Sequence, residues 1–355
     1  MPTATAPTMA PSLPDLSSPV EPATLADDAS ALWRDGYVLM RGLVDSSAIS
    51  SLRSELVEVA EEHRSEWTTK VLKKPDTSTP TDAQFDRVFG IRHKSAAGNV
   101  LASSKRLASI AAALLNVPCV RFYQDQLFFK APGHQQSIWH QDSLAAPVDT
   151  NRLITLWLPL HNLTRAHGPL RFAIGSHTDL ALNFWNEGMR QSKYPFFAYS
   201  AVEERYHIHQ LSGVDPGDVS AHLGWTIHGA PANRATSTRM AYAISFFPDK
   251  TRSLPFVQLL AKYATDDRLT WQGRIEQADA VIDHPDFPLA YCQQLADASD
   301  EPQSAAQQAE ATTDAAAAAS FMFEPSLHRP KPTSAERKAG DGGDGRRRRG
   351  AKDEV

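Results

Sequence analysis

The sequence predicts a mainly β fold with flanking helices, a β-sandwich or jelly roll, and three observations carry the prediction. Apolar residues recur every three or four positions in the N-terminal part of the chain. Beyond residue 118 the pattern changes to alternation in short segments rich in β-branched and aromatic residues. Those segments are punctuated by Pro132-Gly133, Gly168-Pro169, Gly175 and Pro216-Gly217. Helices first and many short strands afterwards fit a layered β domain with helices packed on it.

Taken in order, Asp27 to Arg34 suggests a short helix, and Gly36 to Gly42 a short strand between glycines. Asp45, Ser46 and Ser47 offer caps for a helix whose buried stripe is Ile49, Leu52, Leu56 and Val59. A further helix is expected over Ser104 to Leu115, with Leu107, Ile110, Ala111, Leu114 and Leu115 on one face. Strands are expected at Val120–Lys130, Leu153–Leu160, Leu170–Ile174, Asp218–His222 and Met240–Phe247. No internal repeat is visible.

Composition divides the chain into residues 1–24, a disordered N-terminal segment rich in Pro, Ser, Thr and Ala; residues 25–297, one domain; and residues 298–355, a low-complexity disordered tail. The tail carries an Arg run, Arg346 to Arg349, which reads as solvated or as a polyanion-binding or nuclear tag. Its end, Lys352-Asp353-Glu354-Val355, departs from an ER-retention signal. A formal charge of −5 gives no electrostatic case for nucleic acid, and no apolar run is long enough to span a bilayer. The two cysteines, Cys119 and Cys292, show no paired spacing, so no disulfide framework is expected and a reducing compartment is the default. The expected location is cytoplasmic, with peroxisomal and nuclear locations as alternatives. The expected partner is a small-molecule substrate, and the oligomeric state is not legible.

Two separated stretches carry chemistry. In Trp139-His140-Gln141-Asp142, the imidazole and carboxylate are two residues apart, so on an extended chain both face one side. Far downstream, His228-Gly229-Ala230-Pro231-Ala232-Asn233 adds a second imidazole, and Arg239 follows it. Two histidines and one carboxylate are the ligand set of a non-heme Fe(II) site with open coordination positions. The plain alternative for His-x-Asp alone is a surface turn.

Alternation along Arg239 to Phe247 puts Arg239, Ala241, Ala243 and Ser245 on one face and Met240, Tyr242, Ile244 and Phe246 on the other. A guanidinium among small residues suits the floor of a cavity that grips a carboxylate with paired hydrogen bonds. A structural ion pair explains an isolated arginine equally well. In Tyr123 to Lys130 one face carries Gln124, Gln126, Phe128 and Lys130, which reads either as a partly polar pocket wall or as a solvent face. Trp157 reads as a cavity wall or as core packing. Aromatic-rich Leu182 to Ser200 reads as a lid over an apolar substrate or as ordinary packing.

These motifs occur in a particular order: Asp35-Gly36-Tyr37-Val38, Lys130-Ala131-Pro132, Trp139-His140-Gln141-Asp142, Gly168-Pro169-Leu170-Arg171, Gly175-Ser176-His177, Gly217-Asp218, His222, His228-Gly229, Asn233 and Arg239. Over roughly residues 30 to 290 the chain resembles the phytanoyl-CoA dioxygenase family of Fe(II)- and 2-oxoglutarate-dependent oxygenases. The resemblance implies a double-stranded β-helix, a jelly roll of cupin-like type. It implies that His140, Asp142 and His228 bind and use Fe(II), and that Arg239 binds the distal carboxylate of 2-oxoglutarate. By position it adds Gln126, Phe128 and Trp157 to the cosubstrate pocket. The implied co-reactants are 2-oxoglutarate and O2, with ascorbate as a candidate reductant. The implied reaction is hydroxylation of an unactivated C–H bond in a fatty acyl group, an acyl-CoA or a secondary metabolite.

The family commonly has Ser or Thr where this chain has Ala230, which removes one hydroxyl contact to the cosubstrate. Asp142 is a carboxylate, whereas related halogenases carry a small residue there, so hydroxylation is favoured. Among the other histidines, His222 shares strand parity with His228 and could orient the site. His177 reads as structural, and His167, His207 and His209 as loop or solvated residues. The rival readings are a non-catalytic β-helix retaining a metal, a cupin-like metalloprotein working without 2-oxoglutarate, and a binder acting through the Arg-rich tail.

Overall fold

The computed structural model describes residues 16–71, 86–181, 199–255 and 274–293. The aromatic stretch at 182–198 and the tail from residue 294 onward lie outside them.

Helix α1 (Ala26–Asp35) leads into β1 (Tyr37–Met40) and α2 (Ser46–Val71). Asp45 caps α2 as expected: its Oδ1 accepts the Ser47 amide at 2.8 Å. Strand β2 (Asp86–Phe89) and helix α3 (Ala96–Ala102) follow, then α4 (Lys105–Leu115). The next strands are β3 (Cys119–Lys130), β4 (Ser137–His140), β5 (Ile154–Pro159) and β6 (Arg171–Ala173). After a short helix α5 (Tyr199–Arg205) come β7 (Ile208–Gln210), β8 (Val219–Leu223), β9 (His228–Ala230), β10 (Arg239–Pro248) and β11 (Leu289–Cys292).

The strands form two antiparallel sheets. The larger runs β1-β8-β5-β10-β3-β11, with β2 also paired to β3, and the smaller runs β4-β9-β6-β7. From β3 to β10 the chain crosses from one sheet to the other at every step but one, the β6–β7 pair staying within the smaller sheet, the winding of a double-stranded β-helix. The two sheets are separate, not closed into one barrel.

The alternation read from the sequence sorts the side chains. On the outer face of the large sheet, Leu127, Leu156, Tyr242, Ile244 and Phe246 join the stripe of α4 in one apolar core. On the inner face, Trp157, Ala241 and Ala243 join Leu170, Phe172 and Ala230 of the small sheet. Each buried apolar side chain of this size stabilises the fold by roughly 1.5–3 kcal/mol, so the outer core dominates stability and the inner face is free to carry a site.

Two expectations are overturned. Composition groups residues 16–24 with the disordered terminus, yet Leu16 and Val20 are buried in the α4 core. Ser104, the N-cap of α4, donates its hydroxyl to the Leu16 carbonyl at 2.9 Å, and the Val20 amide donates to Ser109 at 2.8 Å. Two apolar residues in a Pro- and Ser-rich stretch are enough to dock it, a contact with no periodicity to announce it.

The second correction concerns Cys119 and Cys292, which form a disulfide. They lie 173 residues apart, and only the antiparallel pairing of β11 with β3 sets them opposite each other. The pairing removes the compositional ground for a reducing compartment. Among the described residues, no helix is long and apolar enough to cross a membrane.

One buried acid sits in the outer core. Asp125 accepts from Tyr242 Oη at 3.1 Å and from the Arg92 amide at 2.8 Å, while its Oδ1 has no partner. Burial outweighs those hydrogen bonds and raises its pKa to about 6. A carboxyl whose folded pKa is raised costs stability once ionised, and that cost is relieved as pH falls from about 6 towards 3.8. Between pH ~4.5 and ~7, Asp125→Asn should therefore gain about 2 kcal/mol of unfolding free energy relative to wild type. Urea denaturation at both values checks this; parallel pH profiles would show that Asp125 is not the group responsible.

Candidate metal centre

Strand pairing brings the separated motifs together. His140 closes β4 directly opposite His228 on β9, and His228 also faces Phe172 on β6. Trp139 turns to the other side, into a cluster with Ala173, Val202 and Ile227, with the Arg171 guanidinium 4.3 Å above its ring. Gln141 stays extended, so the i, i+2 parity persists beyond the strand and Asp142 enters the site from the first position of a 3-10 turn.

His140 Nε2 and His228 Nε2 each lie 3.6 Å from Asp142 Oδ1. One ligand atom from each of the three residues falls within 4.8 Å of the others. Both imidazoles are oriented from behind: His140 Nδ1 donates to the Ile138 carbonyl and His228 Nδ1 to the Thr226 carbonyl, each at 3.0 Å. These bonds fix the tautomer and leave Nε2 to face the metal position. Thr226 is itself anchored, its hydroxyl donating to the Gly36 carbonyl at 2.7 Å.

The electrostatics favour the ligating protonation states. Burial, reinforced by the neighbouring imidazole, lowers both histidines to about 4. Burial pushes Asp142 upward, but His228, His222 and His140 together outweigh it and hold the carboxyl well below the usual range. At neutral pH the site therefore presents two neutral imidazoles and one carboxylate. His140 and Asp142 keep 35% and 22% of their side-chain surface exposed against 6% for His228, so the centre is open on the His140–Asp142 side.

Asp142 Oδ2 has partners of its own. It accepts from Thr155 Oγ1 at 2.8 Å and from His222 Nε2 at 3.2 Å. Thr155 in turn contacts Ser245 Oγ at 2.9 Å.

Arg239 opens β10 on the inner face and is 2% exposed. Its Nη1 donates to the Gly168 carbonyl at 2.7 Å, and its Nε has no partner. Burial alone lowers its pKa to about 10, so the cation persists at neutral pH without a carboxylate beside it. Gly168 adopts φ +64, and a Cβ there would meet the Pro231 carbonyl oxygen at 2.4 Å, so only glycine lets this turn pack against the backbone after β9.

Lys130 is paired with Arg239 across β3 and β10 and is equally buried. Its Nζ is engaged by Pro231 O at 2.9 Å, Ser137 Oγ at 3.2 Å and Ala230 O at 3.4 Å. Of these two neighbouring cations, Lys130 is held by the protein and Arg239 presents an open donor.

The family model for phytanoyl-CoA dioxygenase (PhyH) matches residues 32–241, well over half of the sequence. The chain belongs to the phytanoyl-CoA dioxygenase family. Among solved structures it is similar to SnoK, a non-heme alpha ketoglutarate dependent carbocyclase from nogalamycin biosynthesis, at 19% identity over 77% of this chain and 99% of that one, with a TM-score of 0.56. It is also similar to the epimerase SnoN, solved with Fe3+, alpha ketoglutarate and nogalamycin RO, at 20% identity over 76% of this chain and all of that one, TM-score 0.56. A third is EctD from S. alaskensis with bound Fe, at 21% identity over 64% of this chain and 78% of that one, TM-score 0.50. At these identities the likeness is one of fold. No curated protein matches the chain.

In this family member the remaining expected pocket residues share the inner face. Gln126 and Phe128 lie on β3 opposite Ala243 and Ala241, and Trp157 lies on β5 opposite Ala243. Gln126 Oε1 is buried without a partner, and Phe128 and Trp157 pack with Ala230 in the inner cluster. Thr155 joins the site although the sequence gives it no role, and Lys130, on the face read as a pocket wall or a solvent face, is buried beside Arg239. Thr155 had the inner-face parity of Trp157 as its signal, and Lys130 that of Gln126. His177 is structural as expected, bonded to the Trp33 carbonyl at 3.0 Å. His209 is exposed, one of the two alternatives expected of it, and lies on β7 with the Tyr37 hydroxyl 2.7 Å from its Nδ1.

Proposed function

We propose that this chain is an Fe(II)- and 2-oxoglutarate-dependent oxygenase that hydroxylates an unactivated C–H bond of a small organic substrate. In this reading His140, Asp142 and His228 hold the metal, and Arg239 holds the distal carboxylate of the cosubstrate. The observation that carries it is the pairing of a two-imidazole, one-carboxylate cluster with a buried guanidinium whose Nε lacks a partner. When bound, iron and 2-oxoglutarate supply O2-dependent oxidation of the substrate, with succinate and CO2 as co-products.

The chain's own residues orient and exclude. Arg239 offers a planar donor pair to a carboxylate in a water-poor setting, where such bonds are strongest. Ala230, Ala241 and Ala243 leave room beside it, and Trp157 and Phe172 keep the wall apolar. With Ala230 in place of a hydroxyl-bearing residue, the cosubstrate depends more heavily on Arg239. The substrate approaches from the exposed His140–Asp142 side. A fatty acyl group, its CoA thioester and a secondary metabolite are the candidate substrates.

Anaerobic titration with Fe(II) and then 2-oxoglutarate tests the reading. One metal per chain is expected, with cosubstrate binding dependent on it. Admission of O2 with an acyl and natural-product panel should then give succinate together with a product 16 Da heavier by mass spectrometry, a shift set by one oxygen atom (on the order of 16 Da). Metal retention with no response to 2-oxoglutarate would favour a cosubstrate-independent cupin-like protein; no metal retention would end the proposal.

A further inference from the structure

We propose that His222 is a positioning residue that restricts Asp142 to one metal-facing oxygen; this rests on the metal reading above. The two carboxylate oxygens have divided tasks. Oδ1 is the atom 3.6 Å from both ligand imidazoles, and Oδ2 is occupied by His222 Nε2 and Thr155 Oγ1. The two donors come from different strands, β8 and β5, so together they fix the rotation of the carboxylate where one alone would leave it free to turn.

The orientation of the His222 ring follows from elementary chemistry. An ionised carboxylate only accepts, so the nitrogen facing it bears the hydrogen. The other ring nitrogen, Nδ1, is buried without a partner. His222 is 2% exposed and packs 5.5 Å from Phe172 and 4.2 Å from His228, ring centre to ring centre. A leucine or phenylalanine would fill that space without stranding a polar atom. What the histidine adds is the N–H aimed at Oδ2. With Oδ2 engaged, Asp142 offers one oxygen rather than two, and a coordination position that a two-oxygen grip would occupy stays open for cosubstrate or O2.

The test uses the full-length protein, stripped of metal and titrated anaerobically with Co(II), whose visible spectrum responds to coordination number. Wild type, His222→Leu, His222→Gln and His140→Ala are compared, with urea unfolding of each apo form. The expected result is Co(II) binding about 10–100-fold weaker in His222→Leu, typical for loss of a group that orients a ligand, with an altered spectrum. His222→Gln, which keeps an N–H donor, should recover most of the affinity and the wild-type spectrum. Apo stability of His222→Leu should be equal to or above that of wild type.

Unchanged Co(II) affinity and spectrum in His222→Leu would overturn the proposal. So would loss in both variants alike, since the donor would then not be the cause. A fall in apo stability with metal binding intact would assign His222 to packing. If wild type itself binds no metal, or His140→Ala binds equally well, it is the metal reading that fails, a result distinct from the others.

Discussion

His228→Ala is expected to leave a folded protein that no longer retains iron and forms no succinate. The residue is the hub of the cluster: it stands opposite His140 in the small sheet, its Nε2 faces Asp142 Oδ1, and its ring lies 4.2 Å from those of both His140 and His222. Removing it leaves one imidazole and one carboxylate, too few to hold a borderline metal against chelation by solvent and buffer. Loss of a group that merely orients a ligand typically costs about 10–100-fold in metal affinity, so loss of the ligand itself should exceed that. The fold should survive, because the strand is held by backbone pairing and by the Ile227 amide donating to Ser176 at 2.8 Å, not by the imidazole. Metal analysis after anaerobic reconstitution and desalting decides the matter; stoichiometric iron in the variant would refute the assignment of His228 as a ligand.

The fold class was legible because its signal is local. Alternation in Tyr123–Lys130 and Arg239–Phe247 is a property of neighbouring residues, and it separates Ala241 and Ala243 from Tyr242 and Ile244 without reference to a partner strand. The candidate site was legible for a related reason: His140, Asp142, His228 and Arg239 sit in short motifs whose order along the chain is distinctive. What escaped was set by register alone. Nothing near Cys119 points to Cys292, and nothing near Leu16 points to Ser104 on the cap of α4. His222 could be given the correct face by parity, but its bond to Asp142 depends on how far β8 stands from the turn after β4, a distance fixed by packing. Lys130 and Arg239 are the sharpest case. They are two cations on one face, alternation alone does not separate them, and the carbonyls around Lys130 mark it as the structural charge beside an available one.

That distinction yields the second large effect. Arg239→Met keeps length and apolar bulk while removing the fork. Two charge-assisted hydrogen bonds to a carboxylate in a buried site are together worth about 3–4 kcal/mol, so the apparent affinity for 2-oxoglutarate should fall by a few hundredfold. Lys130 stands directly across the strand pair, yet it should not rescue the variant, because its ammonium is already spent on Pro231 O and Ser137 Oγ. Iron affinity without cosubstrate should be unchanged. Apo stability should hold or rise, since a buried guanidinium with an unsatisfied Nε is a cost the variant no longer bears. Calorimetric titration of 2-oxoglutarate into the Fe(II)-loaded proteins, alongside thermal melts of the apo forms, separates the alternatives. A variant that binds cosubstrate as wild type does would remove Arg239 from the pocket. A variant that instead loses several degrees of melting temperature with cosubstrate affinity intact would return the residue to the role of a structural cation, held in place by the Gly168 carbonyl.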